Sequence, residues 1–126
     1  MKKLAFLTAA MLCGALTATA QNKENDHEYV DLGLPSGLKW ATCNVGATAP
    51  EEYGNYYAWG ENTPKDNYDW DTYKLTTDGG TTFTKYNGTD GKTTLDPEDD
   101  AAAVNWGGKW RMPTDDEWTE LRENCT

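Results

Sequence analysis

The chain has 126 residues, a formal net charge of −10 and 25% charged side chains. That length accommodates one domain. So acidic a chain is unsuited to nucleic acid or anionic membranes, whose phosphates are met by Lys and Arg. Beyond residue 20 the usual core builders are six Leu, three Val and one Phe, ten of 106 residues. That lies under the roughly 20% below which a highly charged chain tends to disorder. Six Trp and seven Tyr remain, however, and disordered chains are poor in aromatics. A wholly disordered protein and a compact aliphatic core are both poor descriptions of this composition.

Residues 1–20 have the form of a secretory signal: Lys2 and Lys3, an apolar run from Leu4 to Leu16, and Ala18-Thr19-Ala20 as an A-x-A cleavage site. The run is shorter than the roughly 20 residues that span a bilayer. Leu12, just before Cys13, is too large for the small residue that lipid-modified cysteines follow. The expected product is secreted, periplasmic or at the cell surface, without membrane insertion. It loses two lysines with the signal, which takes its charge from −10 to −12, and that charge serves solubility.

Residues 21–28 (QNKENDHE) are polar and read as a flexible lead-in. Tyr29–Leu32 alternates like a strand, Gly33–Gly37 is turn chemistry, and Leu38–Val45 alternates again, which predicts a hairpin. Ala49–Glu52 reads as a turn or a single helical turn, and Tyr56–Trp59 as one more short strand. Residues 61–95, rich in Thr, Asp, Asn and Gly, form a long surface excursion. Within it, Asp78-Gly79-Gly80 fits a three-residue hairpin loop that sets Leu75 opposite Phe83, whereas a two-residue Asp78-Gly79 turn would pair Leu75 with Thr82. The three-residue loop is the expectation.

Two helices follow. Asp96 suits an N-cap and Pro97 the first helical position, with Glu98 and Asp99 in the first turn, and Gly107-Gly108 stops the helix after Trp106. Thr114-Asp115-Asp116-Glu117 is a capping box opening a second helix whose apolar stripe is Trp118, Leu121 and Cys125. The predicted class is α+β.

The segment Arg111-Met112-Pro113-Thr114-Asp115-Asp116-Glu117-Trp118 resembles the R-[LM]-P-T-x-x-E-W signature of formylglycine-generating-enzyme-like domains, a branch of the C-type-lectin-like fold. Glu28–Ala47, Pro50–Glu61 and Thr93–Thr114 together resemble the FISUMP family, the Fibrobacter succinogenes major paralogous domain of secreted and surface proteins. The resemblance is weakest over residues 62–92. It implies that residues 29–126 are the N-terminal part of such a domain, an incomplete lectin-like unit, because family members continue into further strands. It further implies a non-catalytic binding or surface-interaction module, its ligand a glycan or a protein. The alternative is a truncated gene fragment without independent function.

A sulfatase-modifying type of enzyme is disfavoured. The reactive cysteine pair that the resemblance brings with it belongs to the later part of such domains, and iron-dependent relatives use several histidines where this chain has His27 alone. Cys43, Cys125 and His27 lack zinc-ligand spacing. Cys43 and Cys125 either pair as a disulfide, which export permits, or are two small core residues. Asp66, Asp69 and Asp71 offer oxygen ligands for calcium without EF-hand spacing, and a solvated loop explains them equally. Trp40, Trp59, Trp106, Trp110 and Trp118 are expected in the core, which leaves Tyr68, Trp70 and Tyr73, in the polar loop, as the ligand-facing candidates. Export predicts a mature N-terminus at Gln21. Intact mass of the product from the periplasm or medium checks it, and a product that keeps residues 1–20 refutes it.

Overall fold

The computed structural model describes residues 22–125, so the signal segment lies outside the described residues. Asn25 and Asp26 both adopt left-handed backbone, with φ of 47° and 67°. Asn and Asp are the side-chain-bearing residues that tolerate that region best, and two such residues in succession make a tight hairpin turn. The turn joins β1 (Lys23–Glu24) to β2 (His27–Asp31). The segment expected to be a flexible lead-in is therefore the first hairpin, and its turn is what polar composition concealed. β2 pairs on its other side with β3 (Lys39–Ala41), with Val30 opposite Trp40, which gives a three-stranded antiparallel sheet in the order β1-β2-β3.

α1 spans Ala101–Trp106 and α2 spans Asp115–Asn124. The cap of α1 is Asp100, not Asp96: the Asp100 carboxylate accepts from the Ala103 amide at 3.0 Å. Residues 96–99 form a turn closed by the Asp99 amide on the Asp96 carbonyl. The Asp96 carboxylate is taken by Lys85 and Lys92. At the far end Gly107 takes a φ of 66° and ends the helix. In α2 both arms of the capping box are made, Glu117 amide to Thr114 Oγ1 and Thr114 amide to Glu117 Oε2.

No strand forms over Tyr56–Trp59, because tyrosine hydroxyls take carbonyls that a ladder would use: Tyr68 donates to the Tyr56 carbonyl and Tyr73 to that of Trp59. Residues 61–95 hold turns, a single 3-10 turn at Trp70–Thr72 and an isolated bridge that sets Thr76 opposite Phe83. The bridge matches neither of the two registers weighed from the sequence. Asp78 closes a wider loop by accepting from both the amide and the hydroxyl of Thr82, at 2.6 and 2.8 Å.

The core is thin. Buried apolar residues are Leu34, Leu75, Ala101, Ala102 and Trp106, beside the buried carboxylates of Glu61, Asp99 and Asp100. Trp59 and Trp118 remain 51% and 44% exposed, so the expected indole core is only partly assembled. On α2 none of the stripe is buried, and Cys43 and Cys125 are free thiols, the first half-buried and the second exposed. The disulfide alternative is not realised in this structure.

Thr114→Ala removes one arm of a complete capping box and should lower stability by about 1 kcal/mol. Asp100→Ala should cost more, about 2 kcal/mol, since it orphans a second amide besides the cap. Urea unfolding of both variants checks the order, and equal midpoints would contradict it.

Candidate functional site

Where β3, α1 and α2 meet, the chain leaves an open groove of about 560 Å³. Its apolar wall comes from Trp40, Trp106, Trp110, Met112 and Trp118. Trp106 stacks on His27 at 4.3 Å and meets Trp110 edge-on at 4.9 Å. Trp110 in turn is fixed by its indole N–H, which donates to the Glu24 carbonyl at 2.7 Å. Across the groove, Trp118 of α2 leans on Trp40 of β3 with ring centroids 5.0 Å apart. α2 is held to the turn before β3 by Glu120, which accepts from the Ser36 amide and hydroxyl at 2.8 and 2.6 Å. The Trp40 indole nitrogen is shielded from solvent and has no acceptor.

Charge in the lining is specific. Lys39 pairs with Asp31, and Arg111 grips both Glu117 oxygens at 2.5 and 2.8 Å. Lys109 also lines the groove and makes no ion pair among the described residues. The Arg111 guanidinium, backed by the Thr114 amide and hydroxyl, holds the Glu117 carboxyl down to about 2.

The sequence-nominated ligand residues lie elsewhere. Trp70 and Tyr73 cluster with Phe83 at centroid distances of 6.0 to 6.3 Å. The Trp70 ring lies so close over Gly80 that a Cβ there would meet it at 2.7 Å. Tyr68 stands apart from this cluster, donating to the Tyr56 carbonyl at 2.5 Å and accepting from the Lys65 amide at 3.0 Å. The Tyr68 and Tyr73 hydroxyls are spent on loop backbone, and Trp70 keeps an exposed face.

Asp66, Asp69 and Asp71 are not drawn together. Asp69 caps the 3-10 turn through the Thr72 amide and accepts from the Asn67 side chain. Among the described residues the acidic trio with converging oxygens is Asp96, Glu98 and Asp99. Its cation is internal: Lys85 lies 2.7 Å from Asp96, 2.6 Å from Asp99 and 3.5 Å from Glu98. Those pairs hold Asp96 and Asp99 below the usual carboxylate range and push Lys85 well above the ordinary lysine value.

Composition assigned the groove indoles to the core, and Lys109 carried no pattern of its own. The signal available was the surplus of tryptophan over aliphatic partners to cover it. No protein family, curated protein or solved structure matches the chain. No helix among the described residues is long and apolar enough to cross a membrane.

Because Glu117 titrates near 2 instead of its ordinary 4.5, its share of stability is complete above the unfolded value and lost as pH falls toward 2. Glu117→Gln should flatten that part of the acid limb. The check is the urea midpoint of both proteins across pH 2 to 5; parallel curves would refute the assignment.

Proposed function

We propose that this chain is an exported, FISUMP-type, lectin-like unit that acts by non-catalytic binding, with the tryptophan-lined groove as its binding face. The observation that carries the proposal is the groove itself. It gathers Trp40, Trp110 and Trp118 around the buried Trp106 on one concave surface, where the buried apolar core among the described residues is five residues, Trp106 included. Concave, mostly apolar sites with a few placed polar groups are the usual form of ligand pockets. Supporting the non-catalytic part, the chain's one histidine is packed face to face on Trp106. The carboxylates with depressed pKa values serve caps, loop turns and ion pairs within the fold. Calcium has no role in this proposal, since Lys85, Lys92 and Lys74 already pair with the converging acidic trio.

A second reading, an incomplete or remnant domain without independent function, draws on one observation: α2 buries none of its ten residues, and Trp118 stays exposed. The two readings separate by experiment. The secreted chain is applied to glycan and peptide arrays alongside Trp118→Ala, and its sedimentation and near-ultraviolet melt are recorded. A binding module gives a cooperative monomeric melt and retention that Trp118→Ala lowers about tenfold, the effect of losing one well-packed aromatic contact. Association with a broad melt and no retention on either array would leave the remnant reading standing.

A further inference from the structure

The groove has a feature that a flat aromatic platform lacks. Every residue from Leu38 to Val45 lines it. A strand that showed only one face to a cavity would contribute alternate residues. All three residues of β3, Lys39, Trp40 and Ala41, line it, so the groove also reaches the backbone edge of the strand, while Thr42 to Val45 line it from the bends beyond. That edge is open, since the sheet order puts β2 on one side of β3 and, among the described residues, no strand on the other.

The ladder shows which groups the edge presents. The Thr42 amide donates to the Glu28 carbonyl at 3.2 Å, and Val30 lies opposite Trp40. In an antiparallel pair the bonded positions alternate, so Thr42 and Trp40 turn their backbone groups toward β2. Lys39 and Ala41 therefore turn their amides and carbonyls away from it, into the groove. Neither residue's backbone has a hydrogen-bond partner off the β2 ladder among the described residues. Unpaired strand edges are templates for another extended chain.

We propose that the groove takes an extended polypeptide segment, which adds as a strand to the free edge of β3 and carries at least one carboxylate for Lys109. The proposal rests on the groove being the binding face, and it names the ligand's class. Strand addition uses main-chain hydrogen bonds for affinity and pockets for alternate side chains for selection. Here the edge groups of Lys39 and Ala41 supply the first, and the indoles of Trp40, Trp110 and Trp118 supply the second. The acidic preference follows from local charge. Glu117 is the one acidic residue in the lining and is neutralised by Arg111, which leaves the Lys109 ammonium unmatched. Glu24, whose carboxylate accepts the Lys109 amide, stands behind that wall and does not line the groove.

The test titrates the secreted chain with short blocked peptides and reads tryptophan fluorescence. One peptide alternates valine with glutamate, a second replaces glutamate by lysine, and a third repeats the first with alternate N-methylated amides that cannot join a ladder. The glutamate peptide should bind at least about tenfold more tightly than either of the others, the scale of a lost hydrogen bond or a mismatched charge. Ala41→Pro should cost about the same factor while leaving the near-ultraviolet spectrum unchanged, since proline is tolerated where a strand N–H faces outward. Lys109→Glu should reverse the preference between the two charged peptides. Equal binding of the N-methylated peptide, indifference to charge, or no response to any peptide would overturn the proposal. Should glycans or other ligands still bind in a Trp118-dependent way, the strand has failed and the groove has not; if that also is lost, both fall together.

Discussion

Asp99 and Asp100 are chain neighbours whose carboxylates serve different parts of the molecule, and most of the fold hangs on that division. Asp100, 4% exposed, accepts from the Ala103 amide to start α1 and from the Met112 amide at 2.8 Å to fix the segment that leads into α2. Asp99, 8% exposed, accepts from Lys85 and from the Tyr86 hydroxyl at 2.6 and 2.7 Å, with Lys74 at 3.5 Å. An unpaired carboxylate at either depth would carry a severe desolvation penalty. The chain must therefore bring those partners together before this centre can close. The long excursion and the helical segment are thus ordered by two adjacent acids, where a larger protein would use a shared aliphatic layer.

The thin core has a second consequence. With no side chain fully buried among the described residues, packing energy is supplied by rings in edge contact and by hydroxyls reaching backbone. Trp59 meets Tyr86 edge-on at 4.8 Å. Tyr86 itself holds a left-handed backbone at φ 57°, and its hydroxyl both receives the Asp96 amide and donates to Asp99. Gly60 lies where a Cβ would meet Leu75 at 2.6 Å, so the one buried leucine of the excursion depends on a glycine for its place. Such contacts are local and directional, and they leave apolar surface over. Tyr53, Tyr56, Trp59 and Trp70 are all exposed.

What could be read from the sequence was whatever local chemistry decides. The capping box at Thr114 and Glu117 and the glycine stop after Trp106 need no tertiary partner, and both are present. The β2–β3 hairpin follows from alternation around a turn-rich pentapeptide. Errors arose where two local solutions were equally good and a distant group chose between them. Asp96 and Asp100 both satisfy the cap rule, and Lys85 with Lys92 claimed Asp96. Tyr56–Trp59 has strand character, but tyrosine hydroxyls from the excursion took its carbonyls. The β1–β2 turn was hidden because Asn25 and Asp26 are polar residues in a polar stretch. The same turn is held from outside by the Asn25 side chain on the Trp106 carbonyl. The groove was the least legible feature, since a tryptophan that lines a cavity and one that fills a core have the same sequence signature.

The groove stays open because its walls are braced from behind. Trp110 is tied to the Glu24 carbonyl, and the Glu24 carboxylate also receives the Lys109 amide at 2.9 Å. Gly108 permits that approach, since a Cβ there would meet the Glu24 oxygen at 2.7 Å. On the other wall, Arg111 and Glu117 form a fork that spans the entry to α2, and Ser36 with Glu120 pins the helix to the turn before β3. Collapse of Trp118 onto Trp110 would require breaking one of these braces, each a charge-assisted or backbone-directed bond stronger than an average hydrogen bond. The hairpin turn at residues 25 and 26, the least expected element of the fold, is therefore the footing of one groove wall. Polar bonds of this kind keep an apolar surface spread in place, where hydrophobic contact alone would close it.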